Sequence, residues 1–324
     1  MAQSARTAKK GRVIALTGAS NYLGIGLIQR LIQDDSVERL IAVDTQKPVI
    51  EHPKIVFYKV DLTNPSAQQI MGRIFNNEKV TTCVHLVITY TLSRNRMLAH
   101  ELEAIGTMHV LDACYEANVS HIVARSTTAI YGAFPGNPNF LTENHELLEQ
   151  QEDSFVYDKQ EVERQMRQYG RNHPECSVAI LRDCTSLGAT SINYLSHILL
   201  STRIPRVLGF DPLMQFIHEE DLFRAYHMAT LADISGTYNI VGKGVIRYTD
   251  AIKKLGGQSL ALPESILRAG TAVLWGLKIY DIPVTFLNHI KYSWVADGTK
   301  AARDLGFVPE FDCFKALEDT RQRR

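Results

Sequence analysis

Val13-Ile14-Ala15-Leu16-Thr17-Gly18-Ala19-Ser20-Asn21-Tyr22-Leu23-Gly24 decides the fold of this chain. It reads as a short apolar strand, a tight glycine turn, and an amphipathic helix running through Leu31. A helix N-terminus leaves backbone N–H groups unpaired and carries partial positive charge, so such a turn is suited to hold a phosphate. Glycines there permit positive φ and close approach of a pyrophosphate. Further on, a second apolar run, Leu40-Ile41-Ala42-Val43, ends in Asp44, where a carboxylate can accept hydrogen bonds from a ribose 2′-hydroxyl. Turn, helix and acid in one βαβ frame predict a dinucleotide-binding unit whose contacts include Gly18, Ser20, Asn21, Tyr22, Leu23, Gly24 and Asp44. The carboxylate favours NAD over NADP because it repels a 2′-phosphate.

Outward from that unit, short apolar runs at residues 13–16, 40–43, 55–60, 82–87, 121–125 and 178–181 alternate with helix-like stretches. The clearest helix pattern, over 97–118, sets Leu98, Leu102, Ile105, Met108, Leu111 and Cys114 or Tyr115 close to a 3.6 period. Such alternation implies an α/β fold, a doubly wound parallel sheet covered on both faces, with ligands beyond the carboxyl ends of its strands. After about residue 186 the alternation loosens around Pro205, Pro212, Pro263 and Pro283. The expected organisation is a tail over 1–11, a nucleotide-binding domain over 12–186 with a returning segment near 216–242, and a smaller substrate-side subdomain from 187–215 and 243–324.

Bulk numbers exclude several classes. The 324 residues carry 35 Lys+Arg and 35 Asp+Glu, so no net charge draws the chain to nucleic acid. Cys83, Cys114, Cys176, Cys184 and Cys313 have no paired spacing and read as reduced thiols in a cytoplasmic protein, without a disulfide frame or zinc site. Met1 to Lys10 is polar and basic, expected to be a mobile tail and not a secretory signal. The nearest approach to a spanning helix, Ser265 to Tyr280, is broken by Arg268 and Lys278, and reads as an amphipathic helix packed on the core. His85 at a strand end reads as a core histidine. His218 with Glu219, Glu220 and Asp221 reads as an acidic helix start, with no metal expected.

The order of motifs resembles the extended short-chain dehydrogenase/reductase superfamily, in particular the NAD-dependent epimerase/dehydratase group, over nearly the whole chain. Thr17-Gly18 through Gly24 is similar to its phosphate loop, and Asp61-Leu62-Thr63 to its Asp-Leu pair at the adenine. His85-Leu86-Val87 is similar to a segment at the fourth strand, and Ser126-Thr127-Thr128-Ala129-Ile130-Tyr131-Gly132 to the Ser-rich strand end. Phe216-Ile217-His218-Glu219-Glu220-Asp221, then Asp297-Gly298-Thr299-Lys300-Ala301 with Leu305-Gly306-Phe307 and Pro309, complete the series. The resemblance implies a Rossmann-type fold, bound NAD contacted also by Asp61, Leu62, Leu86 and Lys159, and a homodimer formed through the 97–118 helix and the helix around Lys159. Two positions depart from the pattern. Asn21 replaces a glycine; Asn tolerates left-handed φ, and its side chain must avoid or bond the pyrophosphate. Asp183 follows Arg182 where the family commonly has Pro, placing a carboxylate near the expected nicotinamide end.

The resemblance also implies hydride transfer aided by a Tyr phenolate, which a Lys four residues on makes accessible. A free Tyr pKa of about 10 is too high for base work at neutral pH. Here the segment is Ser154-Phe155-Val156-Tyr157-Asp158-Lys159-Gln160-Glu161-Val162-Glu163. Two registers compete. With Tyr157 as the phenol, its i+4 partner is Glu161, which would raise its pKa. With Lys159 as the lysine, Phe155 stands at the Tyr position; the Lys159–Glu163 spacing favours this register. Thr127, four residues before Tyr131, is the expected substrate-side hydroxyl. The candidate catalytic set is therefore Thr127, Lys159 and Tyr157. The expected activity is oxidoreduction, epimerisation or dehydration at a carbonyl or secondary alcohol. The expected substrate is a nucleotide sugar or, given the apolar segment 260–287, a lipophilic, hydroxysteroid-like alcohol. The rival reading is a catalytically impaired dinucleotide-binding sensor or scaffold.

Overall fold

The computed structural model describes residues 11–88, 95–148, 153–191, 193–278 and 284–322. The expected tail over 1–10 and the Tyr280 end of the Ser265 segment lie outside them. Seven parallel strands form the central sheet: β1 (Arg12–Thr17), β2 (Val37–Asp44), β3 (Ile55–Lys59), β4 (Thr82–His85), β5 (His121–Thr127), β6 (Ser177–Asp183) and β7 (Gly236–Ile240). Their order is β7-β6-β5-β4-β1-β2-β3. The order reverses beside β1, and a crevice opens at such a switch point outside the strand carboxyl ends.

Alternation along β1 builds both faces of the sheet. Ile14 and Leu16 pack with Leu23, Leu27 and Ile28 of helix α1 (Tyr22–Leu31) and with Leu222, Phe223 and Tyr226 of the helix Glu219–Leu231. Val13 and Ala15 face the other layer, with Met71 and Phe75 of α2 (Ala67–Glu78), Val110 and Cys114, and Val162 and Met166. A third cluster gathers Leu187, Leu195, Ile204, Phe216, Ile252, Leu267, Phe286 and Leu317 at the carboxyl-end side of the chain.

The 97–118 helix departs from its expected regular period. It runs as α3 (Arg96–His100), a π turn over Glu101–Ile105, and α4 (Gly106–Glu116). The wider turn rotates the following face, so Glu103, Ala104, Thr107, Val110, Leu111 and Cys114 are buried. Leu98, Ile105, Met108 and Tyr115, counted on the apolar face from the sequence, are exposed. The Ser265 segment forms the helix Glu264–Gly276, which packs on the third cluster through Leu267, its one buried residue, and leaves much of its length exposed.

Candidate active site

The β1–α1 turn is built around Gly18 at φ +74°, a conformation that L side chains rarely adopt. A Cβ on Gly24 would lie 2.5 Å from the Gly18 carbonyl oxygen, so the turn closes only on glycine there. Asn21 takes φ −74°, not the left-handed region its tolerance suggested. It caps α1, its Oδ1 accepting from the Gly24 amide at 2.8 Å while its Nδ2 donates to the Leu86 carbonyl at 3.3 Å. The amides of Tyr22 and Leu23 find no acceptor among the described residues and mark the place for an anion. Asp44 at the end of β2 accepts from the Ser20 amide at 2.9 Å and the Thr45 amide at 2.6 Å, and Ser20 Oγ donates to the Gln46 carbonyl.

A cavity of about 320 Å³ follows, lined by Gly18, Asn21, Asp44, Asp61, Leu62 and Val87 among others. Asp61 turns the chain by accepting from the amide and hydroxyl of Thr63 at 3.0 and 2.8 Å, and Leu62, Val87 and Leu102 form apolar walls, whereas Leu86, expected at the coenzyme, is buried in the core beside Ile14 and Leu23 and does not line the cavity. These residues fit the adenosine and pyrophosphate of a dinucleotide: a backbone cradle closed to side chains, free amides, a carboxylate at the β2 end and an apolar slot. Larger depressions lie at the amino end of the sheet and along 47–57, away from the strand ends that carry chemistry.

Tyr22 reaches from α1 to the far strands. Its hydroxyl lies 2.6 Å from Ser186 Oγ and receives a hydrogen bond from Arg125 at 3.1 Å. Arg125 also pairs with Asp183 at 3.3 and 3.1 Å, both buried, and Tyr226 donates to Asp183 at 3.0 Å. The carboxylate expected to intrude near the nicotinamide end is thus neutralised inside the sheet. Its partner, Arg125, was visible in the sequence as a charge in an otherwise apolar strand.

Helix α5 (Ser154–Asn172), capped by Asp153, is stitched to the end of β5. Ser126 donates to Glu163 at 2.6 Å, and Arg182 donates to the same carboxylate at 2.8 and 2.7 Å; Arg167 also pairs with it. Burial would raise the Glu163 pKa, but Arg182, Arg167 and the Ser126 hydroxyl hold it below the usual glutamate range. One turn earlier, Lys159 is buried with its ammonium 3.6 Å from the centre of the Phe155 ring. Glu103, placed by the π turn, accepts from Lys159 Nζ at 3.2 Å through both oxygens and is equally buried. Sequence reading missed Glu103; the one available signal was an acidic residue between apolar neighbours in a buried-helix pattern.

Thr127 ends β5, buried, and its Oγ1 accepts from the Ala129 amide at 3.2 Å. Its hydroxyl proton finds no acceptor among the described residues. Tyr157 is not brought to this centre: two residues from both Phe155 and Lys159, it lies about 200° around the helix from each. The other side of Phe155 carries aromatic residues the sequence did not flag. Tyr194 stands edge-on to it with centroids 5.9 Å apart, then Phe286 against Tyr194 at 4.7 Å and His289 stacked on Phe286 at 5.4 Å. Burial and the Asp153 charge push the Tyr194 phenol up. His289 is buried, and neither ring nitrogen has a hydrogen-bond partner among the described residues; burial pulls its pKa down, against the opposing Asp153 charge.

His85 and His218 have other employment. His85 bridges Thr17 at 2.7 Å and Thr107 at 3.0 Å, and burial holds its pKa at about 4. His218 caps the helix Glu219–Leu231 and contacts Asp319 at 3.1 Å.

The family model for the NAD dependent epimerase/dehydratase family matches residues 14–241. An uncharacterised protein of Mycobacterium tuberculosis (strain H37Rv) is 28% identical over 315 residues, covering 95% of this chain and 83% of the relative. Among solved structures, a UDP-glucose 4-epimerase from Thermotoga maritima superposes with TM-score 0.74 at 15% identity, covering 96% of this chain and 98% of that one. The dTDP-glucose 4,6-dehydratase DesIV from Streptomyces venezuelae, solved with NAD, superposes with TM-score 0.74 at 19% identity over 96% of both chains. At these identities the superpositions show a shared fold.

Proposed function

The chain belongs to the NAD dependent epimerase/dehydratase family and is an NAD-dependent enzyme; from that premise we propose that it acts on a secondary alcohol or carbonyl of a nucleotide-sugar-type substrate without a phenol at the usual position. Bound NAD supplies the hydride exchange with the substrate carbon. The β1–α1 amides and the cleft from Asp44 to Leu62 hold the coenzyme, Asp44 at the adenosine ribose. Thr127 donates its uncommitted proton to the substrate oxygen. Lys159 would hold the ribose and lend its charge to that oxygen, with Glu103 positioning the ammonium through both carboxylate oxygens.

The observation that carries this reading is the Lys159 ammonium seated 3.6 Å from the centre of the bare Phe155 ring, which supports the register that sets Phe155 at the Tyr position. The printed substrates of the structural neighbours, UDP-glucose and dTDP-glucose, support the sugar-nucleotide class. The aromatic run Phe155, Tyr194 and Phe286 favours a second reading, a lipophilic alcohol. An exposed stripe of Met97, Ile105, Met108 and Tyr115 supports a homodimer through α3 and α4, and five buried free cysteines fit a reducing cytoplasm.

Absorbance near 340 nm, which reports net oxidation or reduction, and chromatography of the products, which reports redox-neutral epimerisation or dehydration, together test the proposal, using wild type and Phe155→Tyr with UDP- and dTDP-sugars and with hydroxysteroids. Slow sugar-nucleotide turnover in wild type and a gain of about 10²–10⁴ in the variant are expected, the usual worth of a positioned acid/base. An unchanged rate in the variant overturns the Phe155 assignment. Turnover confined to hydroxysteroids selects the second reading. Coenzyme binding without turnover in either protein supports a sensor.

A further inference from the structure

Tyr22 is committed at both ends. Its amide is one of the two at the start of α1 that find no acceptor among the described residues, in the place marked for an anion. Its hydroxyl begins a chain of hydrogen bonds whose direction follows from donor chemistry. Arg125 can only donate, so the Tyr22 oxygen accepts from it at 3.1 Å and sends its single proton to Ser186 Oγ at 2.6 Å. Ser186 then donates to Ser191 Oγ at 2.8 Å, and Ser191 Oγ donates to the Ser186 carbonyl at 2.9 Å. Asn193 Nδ2 donates to that same carbonyl at 2.8 Å. Its Oδ1 accepts from the Ser196 amide at 2.9 Å, which caps the helix Tyr194–Leu199. Ser186, Ser191 and Asn193 are all buried.

The chain joins a fixed end to a marginal one. Arg125 is held in β5 by Asp183 of β6, which also accepts from Tyr226. Ser186 lies on the strand Thr185–Leu187, paired in parallel with Phe216–His218. The helix Tyr194–Leu199 has six residues, too few to stand alone. Leu195, Ile198 and Leu199 dock it on the third cluster, and Asn193 holds its start. Its first residue, Tyr194, stands edge-on to Phe155, whose ring carries the Lys159 ammonium. A gap opened in a buried chain leaves a desolvated polar group unpaired, at a cost of about 1–3 kcal/mol. Movement of the β1–α1 turn is therefore passed along the chain toward Asn193.

We propose that Tyr22 is a positioning residue through which bound coenzyme aligns the substrate-side helix Tyr194–Leu199. Its amide meets the pyrophosphate, its hydroxyl hands the turn's position to Ser186, and Asn193 sets Tyr194 against Phe155. Coenzyme thereby prepares the substrate side of the cleft before the substrate arrives. This role rests on NAD occupying the β1–α1 turn and on Phe155 and Lys159 facing the substrate.

Amide hydrogen exchange of the full-length protein, with and without saturating NAD⁺, tests this without needing the substrate. In wild type, NAD⁺ should slow exchange at Tyr22 and Leu23, and also by about fivefold or more at Ser196, His197 and Leu200, the low end of ordinary coupling between sites. Ser186→Ala and Tyr22→Phe break the same hydrogen bond from opposite sides. Each should cut the response of the helix to less than about twofold, and the double variant should lose no more than either one. A purely structural chain would change helix exchange by the same factor whether or not NAD⁺ is present, and that result overturns the proposal. So does a wild-type turn protected by NAD⁺ with no response at the helix, or a helix response that survives both substitutions. No protection at the wild-type turn would instead remove the coenzyme reading itself, and this role with it.

Discussion

Phe155 puts a hydrocarbon where Lys159 delivers its charge, and Glu103 then becomes the nearest group able to balance that charge. Both members of the Glu103–Lys159 pair are buried to about 1% exposure. Removing one partner of such a pair leaves an uncompensated buried ion, at a cost of about 3–5 kcal/mol, whereas replacing both by apolar groups is often neutral. Glu103→Gln should therefore lower the unfolding free energy by about that amount in denaturant melts, and Glu103→Gln/Lys159→Met should recover most of it. A single variant as stable as wild type would mean that the pair does not hold the site. At this scale the sequence was legible where chemistry sits in a motif: Phe155, Lys159 and Thr127 could be singled out from spacing and resemblance. Glu103 could not, because its position depends on a π turn that no periodicity announces.

At the scale of elements, the β1–α1 turn works through its cap. Asn21 satisfies the Gly24 amide and reaches across to Leu86 at the end of β4, fastening the coenzyme turn to its neighbouring strand. Asn21→Ala should cost about 1 kcal/mol, the typical worth of an N-cap, and weaken NAD binding alongside; calorimetric unfolding checks the first and coenzyme titration the second. Unaltered melting would show that the cap is dispensable. The six early strands were readable from their apolar runs, since a parallel sheet buried on both faces needs continuous hydrophobic strands. The 97–118 helix was readable as a helix but not as a buried face, because the π turn shifts the register after Glu101. The Glu264–Gly276 helix was readable as amphipathic and docks through Leu267, but its apolar composition did not tell how much of it stays exposed, because burial needs a neighbour to cover each side chain.

Across the whole molecule, buried histidines couple stability to pH. His85 joins β1 to α4 through Thr17 and Thr107, and burial lowers its pKa from an ordinary 6.5 to about 4. Burial also lowers His121 and His289. A histidine kept neutral in the fold takes up a proton more readily when unfolded, so its stabilising contribution is present above pH 6.5 and lost as pH falls toward 4. For His85 that loss is roughly 3 kcal/mol, at about 1.4 kcal/mol per pH unit. Melting temperature should drop between those pH values, and His85→Gln should flatten the dependence; a drop of equal size in the variant would place the effect elsewhere. The parallel sheet was legible because strand–helix alternation constrains topology. The third core was not, because its strands are short and its contacts join residues as far apart as Leu187 and Leu317.

Everything in the site reading depends on NAD occupying the cradle from Gly18 to Asp44 and the cleft beyond it. Calorimetric titration of NAD⁺ into wild type and into Asp44→Ala measures this directly. The account predicts saturable one-site binding in wild type and a loss of at least about tenfold in the variant, the scale of a lost hydrogen bond to a charged group. No heat from wild type, or equal affinity in both proteins, would contradict it.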